Sequence, residues 1–437
     1  MTVGIDSFAL IGIFSSLAFL LIIGTPIAFA LATSGLIGCY LIGGWVEVQA
    51  IGFIAFEHLN SFSLLAIPLF ILMGNILLTH KIGEDIYGSV YNWVGHLRGG
   101  LCIASTLTCA AFGFMCGSSP ATAATVGAVA LEEMEKKGYN RGLAAGSVAA
   151  AGTLASLIPP SIIMVIYCVL ALKVSMGKVF LAGIIPGLLL TLIFIVIQWS
   201  LVFFFPSLAP LGEKASWSKR IKGIPILLPV IVLFFIIIGG IYYGFWSAIE
   251  AGAAGALCCI VLAIAYRRFS WRKLWEAAVS TTVTSVMIYT IIIGANILAK
   301  AFFLMGFHKG LETFILNFNF PGWVIIIIMG LCMTVLGMAF DVIALLVITV
   351  PIFLPIVIKI GYDPIWFGIM CVIFSEMALI TPPVGVDLFV IKSVAPEGTK
   401  LSEIAYGAAP YVFGIWILLI IMLIFPQIVL WLPSTMK

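Results

Sequence analysis

The feature that most constrains this chain is the recurrence of apolar runs, about twenty residues long, from one end of its 437 residues to the other. As a helix, each run crosses about 30 Å of hydrocarbon. Hydrophobic residues make up 63% of the sequence and charged ones 9%, and no interval between runs leaves room for a sizeable soluble domain. Lipid offers no hydrogen bonds to the backbone, so such a chain crosses the membrane as helices that satisfy their own N–H and C=O groups. The expected fold is all-α and polytopic. The runs lie at roughly 5–23, 26–44, 64–79, 142–172, 177–205, 224–243, 246–266, 281–305, 364–392 and 409–433.

The net charge of +3 says less than where the basic residues fall. Lys214, Lys219, Arg220 and Lys222 share one connection, and Arg267, Arg268, Arg272 and Lys273 share another. Two spans separate these connections, and the positive-inside rule places both in the cytoplasm. Counting outward puts Lys81, Arg98 and the charged stretch 132–141 inside, and both termini outside. Two further apolar regions, around 100–131 and 321–358, are interrupted in the middle. The count closes only if each enters and leaves from one side. They are therefore expected to be re-entrant hairpins, the first from the cytoplasm and the second from outside.

The chain also repeats itself. Gly24 and Gly244, Gly35 and Gly255, Cys39 and Cys259, and Gly117 and Gly337 each stand 220 apart, and Asn75 and Asn296 stand 221 apart. Two double prolines, Pro159-Pro160 and Pro382-Pro383, are 223 apart. The landmarks divide the chain into halves at 1–220 and 221–437, each with five spans, an arm, a hairpin and a broken helix. An odd number of spans per half makes the halves inverted, and inverted repeats with broken helices mark secondary transporters.

The breaks create chemistry. Proline has no N–H for the carbonyl four residues back, so the double prolines leave the carbonyls of Ala155, Ser156, Ala378 and Leu379 without that partner. In hydrocarbon each such group costs several kcal/mol unless protein, water or an ion satisfies it. The first tip, "GSSPATAATVG" (117–127), can break one helix and cap the next through Ser118, Ser119 or Thr122. In the second, "GMAFD" (337–341), Asp341 takes the capping place. The open end of a half-helix favours an anion, and carbonyls with hydroxyls favour a small cation. Each of these features has a plainer reading, as a packing face or a kink; matched placement in both halves favours a site. Asn75 and Asn296 either line it or bond across helices. Of the acids within spans, Glu376 and Asp387 flank the second double proline, whereas Glu250 lies near a helix end. "IGEDIYGSVYNWVGHLRGG" (82–100) and "SWRKLWEAAVS" (270–280) have the pattern of interfacial amphipathic arms.

Other functions find no support. None of the nine cysteines forms a CxxC pair, and His58, His80, His96 and His308 are scattered. No phosphate-binding GxxxxGK[ST] loop exists for ATP hydrolysis. A serine nucleophile at Ser118 or Ser119 has no base beside it, so no enzyme is expected. The N-terminus enters the first apolar run without a basic leader, so no cleavable signal is expected.

Several segments carry a family resemblance: "IPLFILMGN" (67–75), "GHLRGGL" (95–101), "GSSPATAATVG", "GYNRGLAAGSVAAAGTLASLIPPSIIMVIY" (138–167), "GKVFLAGIIPGLLL" (177–190), "GMAFDVIALLVITVPIFLPI" (337–356) and "ITPPVGVDLFVI" (380–391). Together they resemble, almost end to end, the large DctM-type membrane subunit of the TRAP (tripartite ATP-independent periplasmic) transporters. The resemblance implies an elevator-type importer of small organic acids in the bacterial inner membrane, coupled to at least two Na⁺. It implies two partners, a periplasmic substrate-binding protein and a small membrane subunit, here expected as a separate polypeptide. It points to Gly117, Ser118, Ser119, Ser156, Pro159 and Ser161 in the first half as Na⁺ residues, and to Gly337, Asp341, Thr381, Pro382 and Gly385 in the second. Ser118, Ser119, Thr122, Asn75, Asn296 and Asp387 are the candidates for substrate. The alternative is a stand-alone proton- or Na⁺-coupled carrier. Many relatives have a neutral Asn where Asp387 stands, and an acidic residue after the first tip's Gly-Ser run. A carboxylate at 387 changes the ion count, or pairs with a cation or proton, and opposes an anion beside it.

Overall fold

The computed structural model describes residues 7–436, apart from 172, 173, 213, 318, 319 and 339, and every regular element among them is helical. The first half runs α1 (Ser7–Ile22), α2 (Ile27–Gln49), α3 (Ile51–Leu59), α4 (Ala66–Thr79), α5 (Ile82–Val94), α6 (Gly100–Cys116), α7 (Ser119–Lys136), α8 (Arg141–Gly152), α9 (Leu154–Leu157), α10 (Ile162–Leu170) and α11 (Met176–Phe204). The second runs α12 (Trp217–Tyr242), α13 (Ala248–Ala265), α14 (Trp271–Leu304), α15 (Phe307–Asn317), α16 (Gly322–Gly337), α17 (Val342–Lys359), α18 (Pro364–Leu379), α19 (Val386–Val394), α20 (Leu401–Ile424) and α21 (Gln427–Ser434). The order of elements thus recurs, with α14 standing where the first half has α3 and α4.

Local chemistry explains the boundaries. Asn140 caps α8 by accepting from the Leu143 N–H at 3.1 Å. Ser247 and Glu250 form a capping box on α13, so Glu250 belongs to a helix start. Pro159-Pro160 divides the first broken helix, whose two parts meet at 45°. Pro382-Pro383 divides α18 from α19, and both Pro-Pro bonds are cis.

Three expectations change. "SWRKLWEAAVS" is no separate arm but the first turns of the 34-residue α14, about 51 Å long. Asn60 and Ser61 interrupt the first half between α3 and α4, whereas residues 271–304 contain no proline, and Thr281, Thr282 and Thr290 bond back to their own helix. The second-half counterpart of α5 is α15. The last span starts earlier than expected, at Leu401, and stops at Ile424, before Phe425-Pro426. The Ala378 carbonyl is not left free: it accepts from the Thr381 N–H at 3.3 Å.

Connections that the charge count places on one side contact one another. Arg268 binds Asp85 of α5 at 2.9 Å, the Asn140 N–H donates to the Leu208 carbonyl at 2.8 Å, and Arg220 lies over Trp93. All are connections assigned to the cytoplasm. At the other end the Tyr167 hydroxyl donates to the Pro364 carbonyl at 2.5 Å, and the Trp366 indole to that of Met422 at 3.2 Å. Helices α6 and α18 are buried along nearly their whole length, while α1, α12 and α13 expose Phe8, Ile22, Phe235 and Leu257. Exposed apolar side chains of this kind suit a lipid surround. Glycines allow α2 and α14 to touch: a Cβ on Gly35 would lie 2.6 Å from the Leu298 nitrogen, and one on Gly294 2.3 Å from the Ala28 carbonyl oxygen.

Candidate functional site

The two hairpin tips meet the two helix breaks. Gly117 ends α6 at φ +64°, in the left-handed region, and the chain turns back through extended Ser118 into α7. Pro120 in the first turn suits that start. The Gly117 carbonyl accepts from the Ile162 N–H at 3.4 Å, and a Cβ on Gly117 would lie 3.0 Å from the Pro160 oxygen. The first tip is therefore seated on the first break. The second is seated on α18, since a Cβ on Gly337 would lie 2.7 Å from that of Ala378. Asp341 caps α17, accepting from the Ile343 N–H at 3.0 Å, as its place in "GMAFD" implies; Ala339 lies outside the described residues.

The tips and breaks enclose a cavity of about 200 Å³ with one face of α14. Gly117, Ser118, Ser119, Ser156, Asp341 and Glu376 supply its polar lining, and Thr284, Met287 and Ile288 line the α14 side. No Lys, Arg or His is among the described lining residues. Ser118 occupies the cap position of α7 without a side-chain capping bond, and the Ser119 hydroxyl instead donates to Asp387 Oδ2. Both oxygens of Glu376, Oδ1 of Asp387 and the hydroxyls of Thr122, Ser156 and Ser161 are buried without a hydrogen-bond partner. Unpartnered hard oxygens beside carboxylates, with no base to neutralise them, make a setting for a small cation. His80 contacts its own helix through Nδ1, at 2.7 Å from the Ile76 carbonyl, and the side chains of His58 and His308 lie outside the described residues.

A family model described as "Tripartite ATP-independent periplasmic transporter, DctM component" matches residues 14–428. The chain belongs to the DctM family. It is 34% identical, over 89% of its length and 90% of the relative's, to the C4-dicarboxylate TRAP transporter large permease protein DctM of Pseudomonas aeruginosa. It is 30% identical to the isethionate TRAP transporter permease protein DctMQ of Oleidesulfovibrio alaskensis, over 92% of this chain and 62% of that one. Its fold resembles the crystal structure of the Alcanivorax borkumensis YdaH transporter, with TM-score 0.59 and 13% identity over 86% of this chain and 88% of that one. The DctM chain is a large permease of TRAP-type secondary transporters for organic acids and a multi-pass protein of the bacterial inner membrane.

Not every candidate reaches the cavity of this DctM chain. Pro159 and Ser161 lie at the break under Gly117, and Gly337 lies behind the second tip. Thr381 and Pro382 line a separate groove of about 590 Å³ with Leu401 and Tyr406, and the Thr381 hydroxyl donates to the Met377 carbonyl at 2.6 Å. Gly385 opens α19 at φ +59°, and Asp387 stands behind Ser119. Asn75 bonds across to Thr281 of α14 at 3.0 Å, and Asn296 to the Ile292 carbonyl of its own helix at 2.9 Å. For both asparagines the cross-helix or local bond, not the cavity, is the structural role. The α14 face is an addition, whereas Glu376, singled out in the sequence beside the second double proline, does line the cavity. Glu376 carries a signal, an acid amid the wholly buried α18; Thr284, Met287 and Ile288 carry none.

Proposed function

We propose that this chain is the carrier of a Na⁺-coupled import system for a small organic acid, which an extracytoplasmic binding protein delivers. A small TRAP membrane subunit completes it. The observation that carries the reading is one cavity bounded by both hairpin tips and both broken helices and lined by unpartnered oxygens and carboxylates. At least two Na⁺ are the coupling cargo. One is held by the first tip and break (Gly117, Ser118, Ser119, Ser156, Pro159 and Ser161), the other at the second tip, where Asp341 lines the cavity. Ser118 and Ser119 also face the substrate. In the proposed elevator movement, hairpins and broken helices travel together against a scaffold in which α2 and α14 pack through Gly35 and Gly294.

The test is uptake into proteoliposomes holding the chain with its small subunit, using succinate and isethionate as probes in view of the relatives' names. Uptake that needs both an inward Na⁺ gradient and the binding protein supports the reading. Uptake indifferent to both overturns it, and uptake needing Na⁺ alone replaces it by a stand-alone carrier.

A further inference from the structure

We infer that the cytoplasmic end of α20 holds one phospholipid, its headgroup between α8 and α20 and an acyl chain alongside the second break. Two hollows flank this end of the helix, and Tyr406 lines both. The Trp366–Met422 bond puts the far end of α20 outside, so Leu401 and Glu403 lie at the cytoplasmic face.

The first hollow, about 520 Å³, has the chemistry of a headgroup site. Asn140, Arg141 and Glu403 are its polar side chains, and Leu201, Leu208 and Pro410 give it an apolar wall. It opens where α8 packs closely on α20, since a Cβ on Gly142 would lie 3.1 Å from the Glu403 carbonyl oxygen. The Asn140 side chain answers the Leu143 N–H, which leaves the first two N–H groups of the 12-residue α8 for an anion such as phosphate, beside the Arg141 guanidinium. Glu403 accepts from the Lys400 N–H through Oε2 at 3.1 Å, and its Oε1 makes no hydrogen bond among the described residues. Phosphate at Arg141 and an ammonium at Glu403 together describe a zwitterionic headgroup. Arg141 also binds Glu135 at 2.9 Å, so its charge is already shared, and Glu403 opposes a headgroup of net negative charge. A primary ammonium can donate to Oε1 where a quaternary one cannot. The occupant is therefore a phosphatidylethanolamine.

The second hollow, about 590 Å³, suits an acyl chain. Leu401, Ala405, Ala409 and Val412 line it from one face of α20, along about 16 Å of helix. That is roughly half of a hydrocarbon core about 30 Å thick, the depth of one leaflet. The opposite wall is the second break, which offers carbon: Pro382 and Pro383 have no N–H, and the Thr381 hydroxyl is turned to the Met377 carbonyl. Ser402 lies at the cytoplasmic mouth. This side of α20 faces the membrane, with Tyr406 81% and Phe413 67% exposed, and a tyrosine at this level suits the interface. The site is separate from the cation-coupled cavity and does not depend on that reading.

The test is native mass spectrometry of the full chain with its small subunit, titrated with phosphatidylethanolamine and phosphatidylglycerol of the same acyl chains. Wild type is expected to hold the ethanolamine lipid more tightly. Glu403→Gln should weaken that lipid roughly tenfold, the loss of one hydrogen bond to a charged group, and leave phosphatidylglycerol no weaker. Ala409→Phe, which fills the groove from the exposed face of α20, should weaken both lipids. Either variant suffices if the other does not fold. Equal affinity of wild type for the two lipids, or wild-type binding in the variants, overturns the inference. A photoreactive benzoylphenylalanine in place of Tyr406, irradiated in native membranes, should give a phospholipid adduct. An adduct with the small subunit instead would assign this face to a protein partner and overturn the lipid site. Neither result bears on Na⁺-driven uptake, which is measured separately.

Discussion

Gly117→Ala isolates the seating of the first tip. Gly117 combines φ +64° with a close approach, its missing Cβ lying 3.0 Å from the Pro160 carbonyl oxygen. An L-residue in the left-handed region costs about 1–2 kcal/mol. The chain can relieve that strain by withdrawing the tip from the break, which opens the cavity. If the seated tip is the binding-competent state, 1–2 kcal/mol lowers its equilibrium constant against the withdrawn state by a factor of about 5–30. Apparent Na⁺ affinity falls by up to that factor. Gly138→Ala is the control, since Gly138 has φ +75° and nothing within 4 Å of the added Cβ. Both variants carry the same conformational penalty, so both should melt lower. The assay is Na⁺ dependence of uptake in proteoliposomes, with melting temperature measured in parallel. The reasoning is refuted if the two variants show the same half-saturating Na⁺ concentration.

Three other perturbations separate roles that overlap in the structure. Asp341→Asn keeps a good N-cap, since Asn and Asp cap about equally well; melting should be nearly unchanged while the half-saturating Na⁺ concentration rises severalfold, and a fall in melting alone would leave Asp341 a cap only. Asn75→Ala removes the 3.0 Å bond to Thr281 and should cost about 1 kcal/mol in stability without changing the substrate KM; a changed KM would return Asn75 to the site. Gly35→Leu places side-chain atoms where a Cβ already lies 2.6 Å from the Leu298 nitrogen, so folded protein in the membrane should drop sharply, and normal yield would contradict the α2–α14 packing described here.

How much of this was legible beforehand follows from the physics of each feature. Runs of apolar residues, double prolines and a polar tip between glycines act locally, so both hairpins and both breaks are readable in one dimension. The arm at 270–280 misled because three amphipathic turns look alike whether they lie on the membrane or begin a longer helix. Asn75 and Asn296 occupy matched places in the repeat, yet one bonds across to α14 and the other to its own turn. Matched position does not transfer a partner. The Ser119–Asp387 bond joins residues 268 apart, and no local pattern encodes it.

The central claim is that the hairpin tips and helix breaks form one cation-coupled site, and equilibrium binding of radioactive sodium to the purified chain tests it most directly. Wild type is expected to bind Na⁺ saturably, and the double variant Ser119→Ala/Asp341→Asn, altered at one residue of each tip, to retain less than half of that binding at the same concentration. Equal binding in the two proteins would contradict the account.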